Sequence, residues 1–167
     1  SLPQELPIHP AVLRRRADVT TVVHAHPPDV VVCSIAGLAL EPIFGSFNIP
    51  AMRLAERGVP VYGYYGLIRE QSRADEMVAA LGEERVVVLR GHGLTAVGGT
   101  LAGAVVTALN LNTLAAMTVA VAATGGRAKP VPEADRADLP DLGSGFNEEA
   151  VWRHHVAKLA VHDLADV

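Results

Sequence analysis

The sequence predicts an α/β protein folded as one domain, and three observations carry that prediction. The first is a β-branched run, Val19-Thr20-Thr21-Val22-Val23, that leads into His24-Ala25-His26 and stops at Pro27-Pro28. β-Branched residues suit a pleated strand, and proline cannot donate to a sheet ladder. The second is Arg85-Val86-Val87-Val88-Leu89, a continuous apolar run of strand length, the pattern of a central strand covered on both faces. The third is the set of helix-period stretches, with cap residues, that alternate with these runs. At 167 residues the chain has the size of one domain with a proper core. Half of it is hydrophobic but only 4% is aromatic, so that core must be built from Val, Ala and Leu.

Taken in order, Pro7 to Arg16 reads as a short helix. Proline stands in its first turn, Ile8, Val12 and Leu13 line one side, and Arg14-Arg15-Arg16 close it where cations are favoured. That basic run reads as a solvated helix end rather than an anion site. The strand Val19 to His26 follows. Asp29 to Ala36 is then a helix, with Asp29 as its N-cap and Gly37 as its stop. Ala39 to Ile43 and Val59 to Tyr62 are short strand candidates, and Asn48-Ile49-Pro50 between them reads as a turn. Tyr62-Gly63-Tyr64-Tyr65-Gly66 is the most aromatic loop of the chain; an interface and a plain surface turn fit it equally. Ser72 to Leu81 has the period of an amphipathic helix closed by Gly82.

After the Arg85–Leu89 strand, Thr100 caps a long apolar helix to Ala123, which Gly125-Gly126 ends. The helix is uncharged, but Asn110, Asn112 and several threonines interrupt it, so it reads as a buried core helix rather than a membrane span. Lys129 to Gly145 is an irregular connector rich in proline and glycine. Phe146 to Ala165 is a last helix, with Asn147 as cap and Val151, Trp152, Val156, Leu159 and Leu164 as its apolar side. The net charge of −4, from 14 basic and 18 acidic residues, argues against a nucleic-acid footprint. A single cysteine, Cys33, excludes an intrachain disulfide and fits a reducing, cytoplasmic compartment.

The chemistry gathers at strand ends. A side-chain period of two puts His24 and His26 on one face of their strand, a pincer for a divalent ion such as zinc. His92 stands between Gly91 and Gly93 at the end of the other strand, where glycines permit sharp turns and close approach. Three histidines from two strand ends give the open, three-ligand arrangement of a catalytic zinc site, with a position left for water or substrate. Glu5, judged alone, reads as an exposed residue near a chain end.

Three segments change that weighing. Gln4-Glu5-Leu6-Pro7-Ile8-His9, Arg16 through His26, and Leu89-Arg90-Gly91-His92-Gly93 together resemble the class II aldolase/adducin family, which includes sugar-phosphate aldolases, a ribulose-phosphate 4-epimerase and aromatic-acid decarboxylases. The resemblance implies a three-layer α/β/α sandwich around a central, mainly antiparallel sheet. It implies Zn²⁺, or Mn²⁺, Co²⁺ or Fe²⁺, held by His24, His26 and His92, with Glu5 as the acid/base group. It implies a cyclic homotetramer whose active sites lie at subunit interfaces and act on a small-molecule substrate, with neither nucleic acid nor membrane as partner. The function so implied is a metal-dependent carbon–carbon lyase working through a metal-stabilised enolate, either by aldol cleavage of a sugar phosphate or by decarboxylation of a hydroxylated aromatic acid. A 4-epimerase and a non-catalytic adducin-like scaffold are the alternatives.

The chain departs from the sugar aldolases in three respects. Their phosphate-binding Gly-Asn-x-Ser and Ser-Ser-Gly segments are not found in it, and the reading expects further residues ahead of Ser1 in this single domain, 1–167. No tyrosine follows Tyr65, where the aldolases carry a C-terminal proton donor. The stretch from Leu139 to Asn147 with Trp152-Arg153-His154-His155 looks more like 3,4-dihydroxyphthalate decarboxylases, and His155 is the candidate to supply an acid in place of that tyrosine. The adducin branch lacks the metal ligands, whereas all three histidines are present here.

Overall fold

Val86, Val87, Val88 and Leu89 are all buried, and they alternate between two separate cores. Val87 and Leu89 pack with Ile8, Val12, Met77 and Leu81 on one side, while Val86 and Val88 pack with Val30, Cys33, Leu111 and Leu114 on the other. A strand with a period of two and two apolar faces must sit between two helical layers. The computed structural model, which describes residues 4–142 and 144–161, has that arrangement.

The sheet has four strands, β1 (Thr21–Ala25), β2 (Val61–Tyr62), β3 (Val86–Leu89) and β4 (Gly93–Gly98), in the order β1-β4-β3-β2. β4 pairs antiparallel with both β1 and β3, and β2 pairs parallel with β3. The helices are α1 (Ile8–Arg15), α2 (Pro28–Ala36), α3 (Ile49–Leu54), α4 (Gln71–Leu81), α5 (Leu101–Ala123), α6 (Glu133–Ala137) and α7 (Ser144–Val161). α1 and α4 cover one face of the sheet and α2 and α5 the other, which is the expected α/β/α sandwich. Each fully buried Leu or Val in these layers contributes about 1.5–3 kcal/mol of transfer free energy. α5 is long and apolar enough to cross a membrane; in this fold it packs against β4, β1, α2, α3 and α7. Thr100 caps it, accepting the Gly103 N–H at 3.0 Å.

Several local expectations are corrected. Ala39–Ile43 pairs with no strand. Asn48-Ile49-Pro50 starts α3 rather than making a turn: Asn48 Oδ1 accepts the Ala51 N–H at 3.0 Å, and Pro50 lies in the first turn. Asp29 lies in the first turn of α2 and makes no cap bond, because Pro27 takes the N-cap position. β4 was not expected as a strand at all, and the short α6 interrupts the connector. Because α7 begins at Ser144, Asn147 lies inside it, and Leu164 lies outside the described residues. Arg16 is not a solvated helix end. It is 8% exposed, with Nη1 donating to Gly82 O (2.7 Å) and Glu84 O (3.0 Å) and the rest of its fork held by Asp18, so it ties α1 to the α4–β3 turn.

Candidate metal centre

The β1 register sets His24 opposite Thr95 and Ala25 opposite Leu94. His24 Nδ1 lies 3.0 Å from the Leu94 carbonyl, which only accepts, so Nδ1 carries the proton and Nε2 keeps its lone pair. Burial holds the His24 pKa below its ordinary value, with neighbouring His92 and His26 acting the same way against the opposing pull of Glu5. A neutral imidazole with a free Nε2 is the form that ligates a metal.

His26 follows at the strand end, before Pro27, with its Nε2 2.8 Å from His24 Nε2. His92 is brought alongside by the turn between β3 and β4. Gly91 adopts φ 66° and donates its N–H to Ser34 Oγ at 2.9 Å. Gly93 answers a different need: a Cβ there would stand 2.2 Å from the Ala25 carbonyl and 3.0 Å from His26. Only a residue without a side chain lets β1 and its two histidines come this close to the turn. The ring centroids accordingly lie 4.7 Å (His24–His26), 5.0 Å (His24–His92) and 4.7 Å (His26–His92) apart.

Glu5 comes from the turn before α1, far in sequence from its partners. Its two oxygens divide their roles: Oε1 accepts the Ile68 N–H at 2.8 Å, while Oε2 lies 3.3 Å from His24 Nε2 and 3.1 Å from His92 Nε2. One ligand atom from each of Glu5, His24, His26 and His92 falls within 4.8 Å of all the others. Donors bound tetrahedrally at zinc distances stand about 3.3 Å apart, so a small closure brings all four onto one ion.

Two features show that these residues fit a cation. His92 Nε2 is buried without a hydrogen-bond partner, since its contact with Glu5 lacks the geometry of one. An orphan of this kind costs about 1–3 kcal/mol unless something binds it. His24 Nε2 and His26 Nε2 face each other at a distance that permits at most one proton between them. A divalent ion at the centre answers both.

Gln4, Glu5, His9, His24 and Leu67 line a cavity of about 330 Å³ beside the cluster. His9 stands one helical turn beyond Glu5, a spacing the sequence displays; Gln4 and Leu67 carry no comparable signal. A separate hollow between α3 and α5, lined by Arg53, Arg57 and Asn110 among others, contains none of the cluster. His155 does not join it either: it lies on α7 with its ring centroid 5.4 Å from that of His154.

The comparisons agree with this geometry. A family model described as Class II Aldolase and Adducin N-terminal domain matches residues 1–119. A 3,4-dihydroxyphthalate decarboxylase of Arthrobacter keyseri is 48% identical over 160 residues, 96% of this chain and 64% of that protein. A protein of the same name from Terrabacter sp. (strain DBF63) is 51% identical over 159 residues, 95% of this chain and 66% of its own length. The chain thus spans just under two thirds of these relatives. Among solved structures, an aldolase II superfamily protein from Pseudomonas syringae superposes with a TM-score of 0.75 at 24% identity, over 95% of this chain and 63% of that one, a likeness of fold.

Proposed function

This chain belongs to the class II aldolase and adducin family, and on that premise we propose that it is a divalent-metal-dependent carboxy-lyase for a hydroxylated aromatic acid. The observation that carries the reading is the convergence of three imidazoles and one carboxylate beside an open cavity. The choice of decarboxylation over aldol cleavage is supported by relatives at 48% and 51% identity that are named 3,4-dihydroxyphthalate decarboxylases.

His24, His26 and His92 hold the ion, Zn²⁺ in the first place, with Mn²⁺, Co²⁺ or Fe²⁺ suited to the same nitrogen and oxygen donors. When bound, such an ion supplies Lewis-acid chemistry, drawing electron density from the oxygens of a hydroxy acid as its carboxylate departs. Glu5 moves the proton. The Ile68 amide fixes Oε1, which leaves Oε2 to accept the proton of the hydroxyl ortho to the departing carboxylate and to return it to the ring carbon. The carbon–carbon bond breaks, its electron pair stays with the ring, and CO₂ leaves. Leu94 keeps His24 in one tautomer throughout. Assembly as a homotetramer belongs to the same proposal, supported by exposed apolar side chains at Ile35, Phe47 and Leu101 that a partner surface would cover.

The test is release of CO₂ from 3,4-dihydroxyphthalate by the metal-loaded protein. Activity is expected to vanish with a chelator and return with a stoichiometric divalent ion. Cleavage of a sugar phosphate with no CO₂ from the aromatic acid would replace this reading with the aldolase one.

A further inference from the structure

Decarboxylation of a ring with two adjacent carboxylates removes one and leaves the other in place. The residues assigned above to the ion and the proton provide no counter-charge for that second anion. The cation nearest the mouth is Arg69. Its Nη2 donates to the Gln4 side-chain carbonyl, and Gln4 lines the cavity together with Glu5, His9 and His24. The backbone beside Arg69 is fixed by the site itself: Ile68, 1% exposed, donates the N–H that holds Glu5 Oε1, and Leu67 lines the same cavity.

Arg69 is unlike the other arginines on this face. Arg16, Arg73 and Arg85 each reach a carboxylate at 3.0 Å or less. Arg69 has no ion-pair partner among the described residues, although Glu70 shares a surface hollow with it. Its one bond is to a neutral amide oxygen, so most of the five donors of its fork are free for a carboxylate, which a guanidinium grips with two parallel bonds. His9, half-buried on the same cavity, makes no hydrogen bond with any described residue and offers a second donor.

We infer that Arg69, steadied by Gln4 and assisted by His9, forms a subsite for the carboxylate that the reaction retains, and thereby selects ring acids with two adjacent carboxylates. This rests on the decarboxylase reading, and the test separates the two. Calorimetry on the zinc-loaded protein uses phthalate, which has the two carboxylates and no hydroxyl, against benzoate, which has one. Arg69→Gln is expected to weaken phthalate roughly 10–100-fold, the worth of a charge-assisted bidentate contact, with benzoate changed less than about threefold and Arg69→Lys falling between.

In turnover the loss should appear in KM rather than kcat, and in KM for 3,4-dihydroxyphthalate more than for 2,3-dihydroxybenzoate, the same ring without the second carboxylate. Unchanged phthalate binding in Arg69→Gln, or an equal loss of phthalate and benzoate, overturns the subsite. Tighter binding of inorganic phosphate than of phthalate by the parent protein overturns the choice of carboxylate. If the parent releases no CO₂ from either hydroxy acid, the decarboxylase reading falls, and the phthalate and benzoate affinities still decide the subsite.

Discussion

The chain contains two close pairs of histidines, and the fold treats them differently. His24 and His26 stand one residue apart on a strand, where the pleat turns both rings to one side and a backbone carbonyl fixes the first. His154 and His155 are consecutive on α7, with ring centroids 5.4 Å apart and no third ligand beside them among the described residues. A pair becomes a candidate site through what meets it. The strand pair is met by His92 from a glycine-flanked turn and by Glu5 from a segment 19 residues upstream of His24. The helical pair meets only its own helix.

The largest expected difference is in metal content. His24→Ala, His26→Ala and His92→Ala should each lose stoichiometric metal, as measured by mass spectrometry of the purified protein. His154→Ala should keep it, and equal metal content across both groups would dissolve the contrast. Next in size is Glu5→Gln. It should retain most of the metal while the rate falls by roughly 10²–10⁴, the usual worth of general acid–base catalysis. Loss of the metal would instead make Glu5 a fourth structural ligand.

The glycine turn supplies the third effect. Gly93→Ala drives a Cβ into the Ala25 carbonyl and should cost about 1–3 kcal/mol in urea unfolding, a typical penalty for overfilling a packed site. Gly37→Ala has open space around it and only its φ of 68° to contend with, so it should cost about 1–2 kcal/mol. A Gly93→Ala that loses no more stability than Gly37→Ala and keeps its metal would show that the close approach is unimportant.

The fourth effect concerns acid. The His24 pKa is lower in the folded protein than its ordinary 6.5, so below that pH the unfolded chain binds the extra proton first. Stability of the metal-free protein should therefore hold above about pH 6.5 and fall as the pH drops below it. His24→Ala should show a shallower slope over that window. The smallest effect is expected at His155→Ala: metal retained, stability within about 0.5 kcal/mol as for most surface changes, and activity close to the parent. A rate loss of a hundredfold there would mean that α7 of a neighbouring copy reaches the site.

Much of this was legible in the chain because short-range rules carry it. A strand period of two is enough to pair His24 with His26, and glycines on both sides of His92 announce a turn that other residues cannot make. Failures came where one signal serves two structures. Asn followed shortly by Pro marks a turn and also the start of a helix, and at Asn48 the helix prevailed because Ile49 and Met52 have a core to enter. β4 escaped notice because glycines bound it and its Leu-Thr-Ala-Val interior is short; burial between β1 and β3 makes it a strand. Arg16 could not be told from Arg14 and Arg15 without knowing that the carbonyls of Gly82 and Glu84 wait opposite it. The rim formed by Gln4 and Arg69 joins residues 65 positions apart, beyond any local pattern.

One bond in this site has a practical consequence. The Ile68 amide is buried, and its proton points at Oε1 of the carboxylate whose other oxygen faces the histidines. Whatever changes the charge on that carboxylate, a proton or a cation, alters the field at this single N–H. In a ¹⁵N–¹H spectrum the Ile68 resonance is therefore an internal gauge of the state of Glu5, readable by titration with no substrate in the tube.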